Sequence, residues 1–300
     1  SESERGPLLG REIAKLRPEV DLHLVAGSNV EDIAARMGET FERAFYPEAD
    51  CDELYPSIMR GVARRYNADW FNGVKGHAER PISNFHALTA SRGKSIMNSN
   101  WIRDRAQFYG PTLFKAETSA TSGGLDSLLE PRGPLKIAQE KAARAFGAKR
   151  TFFCTNGTSG ANNIVLQALV KRGDVVIADR NNHTSVHRGL MRAGARVDYL
   201  DAYPLNDYSM YGAVPVEELK RKLLDHKHAG TLARVRLLIL TNSTFDGIVC
   251  DPKRVMKECL AIAPHLAFLW DEAWFAFAYF NPTYRQRTAM GAAAALEAMF

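Results

Sequence analysis

From about Phe108 to Phe300 the chain alternates between two hydrophobic rhythms. Short unbroken apolar runs predict strands at 151–155, 175–178, 196–200, 235–240 and 267–270. Between them, apolar residues recur every three or four positions and predict helices over 138–146, 160–171, 185–193, 216–226 and 254–262. Runs such as Leu237-Leu-Ile-Leu240 have no polar face, so both sides of their sheet must be covered. The alternation predicts an α/β fold, a mainly parallel sheet covered by helices.

The first hundred residues read differently. Residues 22–25 resemble a short strand. Ser28-Asn-Val-Glu31 has the spacing of a helix capping box, and Ile33, Ala34 and Met37 continue that helix. Residues 53–66 predict an amphipathic helix with Leu54, Ile58, Val62 and Tyr66 on one side. From 67 to 92, Gly, Asn, His and Pro predict irregular linker. The expected organisation is an α/β remnant plus helix over 1–66, a linker over 67–107, and the main domain over 108–300.

Composition narrows the function classes. Of 300 residues 46% are hydrophobic and 24% charged, an ordinary globular balance. The net charge of +5 is spread over clusters such as Arg60, Arg64, Arg65 and Lys220-Arg-Lys222, which read as solvated helix faces and argue against nucleic-acid binding. No apolar run has the length of a membrane span, and Ser-Glu-Ser-Glu-Arg-Gly has no signal-peptide core. Cys51, Cys154, Cys250 and Cys259 stand far apart, so free thiols in a reducing cytoplasm are expected and a metal site is not. The start without Met fits a processed or cut chain.

Candidate chemistry sits where strands end. Ligands of parallel sheets lie beyond the carboxyl ends of the strands. Polar clusters fall there at 156–160, 179–183, 242–247 and 271–274. The first, Asn156-Gly-Thr-Ser-Gly160, opens a helix; free N–H groups, the helix dipole and the hydroxyls of Thr158 and Ser159 suit an anion. The second offers the imidazole of His183, and the last places Asp271 directly after an apolar strand. A phosphate holder, a flat ring and a carboxylate suit a phosphorylated heteroaromatic such as pyridoxal phosphate, whose ring nitrogen a carboxylate keeps protonated. Singly, each piece has a plainer reading. The first cluster fits an N-capped helix, His183 a packed turn residue, Asp271 a helix cap and Trp274 a core aromatic.

Several motifs carry a resemblance: Ser127-Leu-Leu-Glu-Pro-Arg-Gly-Pro134, Phe146-Gly-Ala148, Thr155-Asn-Gly-Thr-Ser159, Asp179-Arg-Asn-Asn-His183, Thr241-Asn-Ser-Thr-Phe-Asp-Gly247 and Trp270-Asp-Glu-Ala-Trp274. In order and spacing, roughly from Arg92 to Met290, the chain resembles the large domain of the ornithine/lysine/arginine decarboxylases, fold-type I pyridoxal-phosphate enzymes. The resemblance implies that Thr158, Ser159 and Gly160 form the phosphate loop, although members usually carry Thr where Gly160 stands. It implies that His183 stacks on one face of the pyridine ring and Ala273 covers the other. Asp271 would pair with the ring nitrogen, Trp274 would line the pocket, and Thr244 would lie near the ring. Glu272 reads as structural, and His187 and Arg188 as surface helix residues. The first hundred residues would match the end of the family's wing domain and its linker. The implied activity is pyridoxal-phosphate-dependent decarboxylation of a basic amino acid, in a cytoplasmic homodimer or higher homo-oligomer. An aminotransferase or another lyase on the same fold is the alternative chemistry.

One feature of that family has no counterpart. Its cofactor is held as a Schiff base on a lysine that follows the strand-end Asp by a few dozen residues. Here the last lysine is Lys257, and none follows Asp271. The expectation is a piece of a longer enzyme, inactive alone. A second polypeptide supplying the remainder, or a lysine-free scaffold or regulatory subunit, are the other readings.

Overall fold

The computed structural model describes residues 2–17, 20–25, 40–47, 51–119 and 125–299. The chain divides into two compact units, Ser1–Leu125 and Asp126–Phe300.

The N-terminal unit contains α1 (Glu2–Leu16), β1 (His23–Val25), β2 (Arg43–Phe45), α2 (Cys51–Arg65), α3 (Asp69–Glu79), α4 (Lys94–Met97), α5 (Arg103–Tyr109) and α6 (Pro111–Lys115). β1 matches the expected strand, and pairs in parallel with β2, which the sequence did not suggest. The capping box at 28–31 and the helix after it lie outside the described residues. Helix α2 forms as expected, but on a different face. Ser57 and Gly61 are its buried positions, while Ile58, Val62 and Tyr66 stay exposed. The reason is a contact with another part of the chain: an added Cβ at Gly61 would sit 2.8 Å from Asp21 Oδ2, so the bare backbone admits that carboxylate. Arg65 then pairs with Asp21 at 3.2 Å. The segment expected as irregular linker over 67–92 holds α3. Its C-terminal carbonyls are gathered by one guanidinium: Arg92 Nη2 donates to the carbonyls of His77, Ala78 and Arg80 at 3.0, 3.1 and 3.1 Å. Arg92 Nε also donates to the Lys115 carbonyl at 3.2 Å.

The C-terminal unit runs α7 (Pro134–Ala145), α8 (Gly157–Leu169), β3 (Val175–Asp179), α9 (Thr184–Ala193), β4 (Arg196–Leu200), a small hairpin of β5 (Pro204–Leu205) and β6 (Met210–Tyr211), α10 (Val216–His228), β7 (Val235–Thr241), α11 (Pro252–Ile262), β8 (Ala267–Asp271), α12 (Pro282–Arg285) and α13 (Ala289–Glu297). The four longer strands form one sheet in the order β4-β3-β7-β8, and every pair is parallel. Successive side chains of a strand point to opposite faces. Ile177, Leu238 and Leu240 therefore pack on one side with Leu219, Leu223 and Cys259 of α10 and α11. Val176, Ala178, Leu237 and Ile239 pack on the other side with Leu166, Val186 and Leu190 of α8 and α9. Each such fully buried aliphatic side chain contributes about 1.5–3 kcal/mol. This is the α/β fold that the apolar rhythm predicted.

One expected strand is absent. Residues 151–155 have no ladder partner among the described residues, and Phe152 is 79% exposed. The aromatics that suggested a buried strand face outward here. His187 also departs from expectation. It is half-buried, with Nδ1 3.2 Å from the Tyr199 hydroxyl.

Candidate active site

A cavity of about 560 Å³ opens at the carboxyl ends of β3, β7 and β8. The register explains the convergence: Ala178 pairs with Ile239, and Thr241 pairs with Asp271, so the three strands end at similar height. Each strand hands over to a polar turn there. The first turn of α8 contributes Thr158 and Ser159, the turn after β3 contributes Asn181, Asn182 and His183, and β8 contributes Asp271 with Ala273 and Trp274 behind it. Thr241 and Phe245 complete the lining.

The α8 end is shaped for an anion. Gly157 takes φ +60°, a left-handed conformation that side chains disfavour, and the chain turns sharply there into the helix. Gly160 N is bonded back to the Asn156 carbonyl at 3.1 Å, and the N–H groups before it are the orphans of a helix start. Gly160 itself does not line the cavity. A Cβ there would lie 2.7 Å from Asn156 Cβ and 2.9 Å from Cys154 Sγ, so this turn has no room for the threonine expected from the resemblance. Thr244 does not line the cavity either: its hydroxyl accepts from Ile248 N at 3.2 Å and closes a turn.

At the β8 end, Asp271 is 5% exposed. Its Oδ2 accepts from Asn162 Nδ2 at 2.9 Å, and its Oδ1 from Ala273 N at 3.2 Å. No Lys, Arg or His among the described residues forms an ion pair with it. A buried carboxylate with only neutral donors lacks a countercharge, and its free lone pairs suit a protonated nitrogen in the cavity. His183 caps α9: its Nδ1 accepts from Ser185 N at 3.3 Å and lies 2.9 Å from Ser185 Oγ. The flanking groups hold the frame. Asp179 Oδ1 accepts from Asn181 N at 2.9 Å, and burial pushes the Asp179 carboxyl above its ordinary range. Glu272 Oε1 accepts from Asn242 Nδ2 at 2.6 Å and Ala289 N at 2.8 Å, tying the loop after β7 to the start of α13. Burial pushes the Glu272 carboxyl up as well. Cys250 is an inert thiol, raised by burial to about 11. Among the described residues no group of three or more His, Cys, Asp or Glu side chains is arranged to hold a metal ion. No helix among them is long and apolar enough to cross a membrane.

The sequence profile described as Orn/Lys/Arg decarboxylase, major domain, matches residues 69–298. The chain belongs to this Orn/Lys/Arg decarboxylase family. It is 34% identical to lysine decarboxylase LdcA of Pseudomonas aeruginosa over 253 residues, covering 80% of this chain and 33% of the relative. It is 33% identical to the inducible ornithine decarboxylase of Escherichia coli, covering 86% of this chain and 36% of that one. The solved structure of lysine decarboxylase A from Pseudomonas aeruginosa superimposes with a TM-score of 0.68 at 29% identity, over 95% of this chain and 39% of that chain. The chain thus spans about a third of the length of the curated relatives it matches.

Every cavity residue lies inside the segment matched by the Orn/Lys/Arg decarboxylase profile. Of the residues expected from sequence, Thr158, Ser159, His183, Asp271, Ala273 and Trp274 come together on one wall or rim. Sequence reasoning missed Asn162 and Ser185, which connect Asp271 to His183. A signal for Asn162 was present: it sits four positions before Leu166 on the buried stripe of α8, where an apolar residue is expected. Ser185 gave none, because a serine in a first helical turn is ordinary.

Proposed function

We propose that this chain supplies the cofactor-binding half-site of a pyridoxal-phosphate-dependent decarboxylase acting on a basic amino acid, as part of a longer protein. One observation carries the reading: the helix-start hydroxyls, the imidazole and the buried, uncompensated Asp271 line a single cavity in a member of the Orn/Lys/Arg decarboxylase family. The donor set fits the cofactor. Thr158, Ser159 and the α8 N-terminus would receive its phosphate. Asp271 would hold a proton on its ring nitrogen, and Asn162 and Ala273 N keep that carboxylate oriented. His183 would pack on one ring face, and Ala273, with nothing beyond Cβ, leaves the other open to close approach. Trp274 and Phe245 meet edge-on with centroids 6.1 Å apart and flank the mouth of the cavity. When bound, pyridoxal phosphate supplies an electron-accepting ring for the pair released from the substrate's α-carbon. The Schiff-base lysine of this reading lies outside the 300 residues, since none follows Asp271.

The test uses the full-length protein that carries this chain. Lysine, ornithine and arginine are each supplied with pyridoxal phosphate, and carbon dioxide and amine are measured. Asp271→Asn is expected to lower kcat roughly a hundredfold or more. Turnover near wild type in that variant would reject the role of Asp271. A keto acid product without carbon dioxide would select transamination instead.

A further inference from the structure

Two side chains that line the cavity, Asp271 and His183, are joined by two that do not, Asn162 and Ser185, in one hydrogen-bonded line. Asn162 Nδ2 donates to Asp271 Oδ2 at 2.9 Å and to Ser185 Oγ at 3.2 Å. Ser185 Oγ lies 2.9 Å from His183 Nδ1, which also accepts from Ser185 N at 3.3 Å. Asn162, Ser185 and Asp271 are 3%, 5% and 5% exposed, so water does not compete for the bonds among these three, while His183 at the end of the line is exposed. The line joins three separate elements, α8, α9 and the end of β8.

Its direction follows from elementary chemistry. An ionised carboxylate only accepts, so the Asn162 amide must turn its nitrogen, not its oxygen, toward Asp271. That nitrogen has two protons, and the second goes to Ser185 Oγ. Having accepted there, the Ser185 hydroxyl is free to donate its own proton to His183 Nδ1. With the backbone donor of Ser185 already on Nδ1, that nitrogen is an acceptor, and the proton of the neutral ring sits on Nε2. The Ser185 backbone donor favours this tautomer on its own, and the Asp271–Asn162–Ser185 line reinforces it through the hydroxyl.

We propose that Asn162 and Ser185 are positioning residues, a polar relay that fixes the Asp271 carboxylate and the His183 tautomer together, so that both walls of the cofactor site are set as one unit. The relay deepens the functional reading above and its effect on cofactor binding rests on that reading. The tautomer does not, because it is built into the protein without ligand.

The experiment has two arms on the full-length protein. In the first, the apo protein is labelled with ¹⁵N-histidine and the His183 signals are assigned by comparison with His183→Gln. Wild type is expected to show a bare Nδ1 and a protonated Nε2. Asn162→Leu, which keeps the branching of asparagine at Cγ but is larger and cannot donate, should raise the share of the Nδ1-protonated tautomer above that of wild type, as should Asp271→Asn, while the Ser185 backbone donor still favours Nε2. In the second arm, pyridoxal phosphate affinity and its absorption spectrum are measured. Asn162→Leu and Ser185→Ala are expected to weaken binding about 10–100-fold, the usual size of an outer-layer loss. The double variant should lose little more than the worse single one, and Ser185→Thr should restore most of the affinity. A wild-type His183 protonated on Nδ1 overturns the relay. So does an Asn162→Leu protein that folds, judged by an unchanged melting curve, and keeps both tautomer and affinity. Should the full-length protein bind no pyridoxal phosphate at all, the functional reading fails while the tautomer arm still decides the relay.

Discussion

In the C-terminal unit, β3 and β7 carry unbroken aliphatic runs that are buried on both faces of a parallel sheet. In the N-terminal unit, the ladder of β1 and β2 is three residues long, and Ile58, Val62, Phe71 and Phe108 remain exposed. Much of what orders that unit is polar: the Arg92 guanidinium on backbone carbonyls, and the Glu117 carboxylate accepting from Ala90 N at 3.2 Å and Arg92 N at 2.9 Å. One unit rests on area removed from water, which is additive and tolerant. The other depends on a few directional bonds, each with several partners. The two should fail in different ways.

The largest effect is expected where the buried area is greatest. Ile177 is fully buried at the centre of β3, between two flanking strands. Ile177→Ala should lower stability of the C-terminal unit by about 2–5 kcal/mol, through lost transfer energy and the cavity left behind. Chemical denaturation followed by hydrogen exchange on β3, β4 and β7 measures it. A loss below about 1 kcal/mol would mean that the site collapses around the gap, and that the sheet is less tightly packed than its burial suggests.

The same contrast explains what was legible in the sequence. The strands 175–179, 196–200, 235–241 and 267–271 and the helices between them follow from periodicity, because packing in this unit is decided by apolar side chains. The site was legible for the same reason: strand ends could be located, and the polar residues just beyond them converge in the register observed. Three features were not legible. The stripe on α2 was misassigned because Gly61 makes room for Asp21, a contact distant in sequence that periodicity cannot contain. Helix α3 was read as linker because its glycines and histidine are weak formers, and its C-terminus is stabilised by Arg92, twelve to fifteen residues away. Residues 151–155 were read as a strand because an apolar run shows propensity only, and a strand needs a neighbour as well.

Arg92 is the second test. Arg92→Ala removes every carbonyl contact its guanidinium makes, including those at the C-terminus of α3 where a positive charge also meets the helix dipole. Charge-assisted bonds of this kind are worth about 1.5–3 kcal/mol in total effect, and the loss should be confined to the N-terminal unit. Hydrogen exchange should quicken at residues 77–82 and 90–93 while β3 and β7 keep their protection. Arg92→Lys should rescue only part, because one ammonium cannot reach five carbonyls spread around a planar fork. Protection unchanged in Arg92→Ala would place the ordering of α3 elsewhere, and the contrast between the units would lose its clearest case.

The smallest expected effect probes where the contrast breaks down. At the very start of the C-terminal unit, Asp126 uses the N-terminal unit's device. Its carboxylate accepts from the backbone N–H groups of Ser127, Arg132, Gly133 and Leu135 at 2.8, 3.0, 2.9 and 2.9 Å, and so shapes the loop that leads into α7. Burial pushes this carboxyl up, but the four backbone donors outweigh it and hold it below its ordinary 3.8. A carboxyl lowered by folding contributes stability above its unfolded value, and the contribution disappears as pH falls through the folded value. Glu272, raised by burial above its ordinary 4.5, runs the other way: its contribution is full below the unfolded value and is lost as pH rises through the folded one. The stability gap between wild type and Asp126→Asn should therefore shrink as the medium is acidified past the carboxylate range. For Glu272→Gln, which keeps an oxygen for Asn242 and Ala289, wild type should instead lose ground on moving up through that range. Melting temperatures across that range, read on all three proteins, separate the two slopes. Parallel curves would show that neither carboxyl differs between folded and unfolded chain, and that the polar clamp at Asp126 is shape without energy.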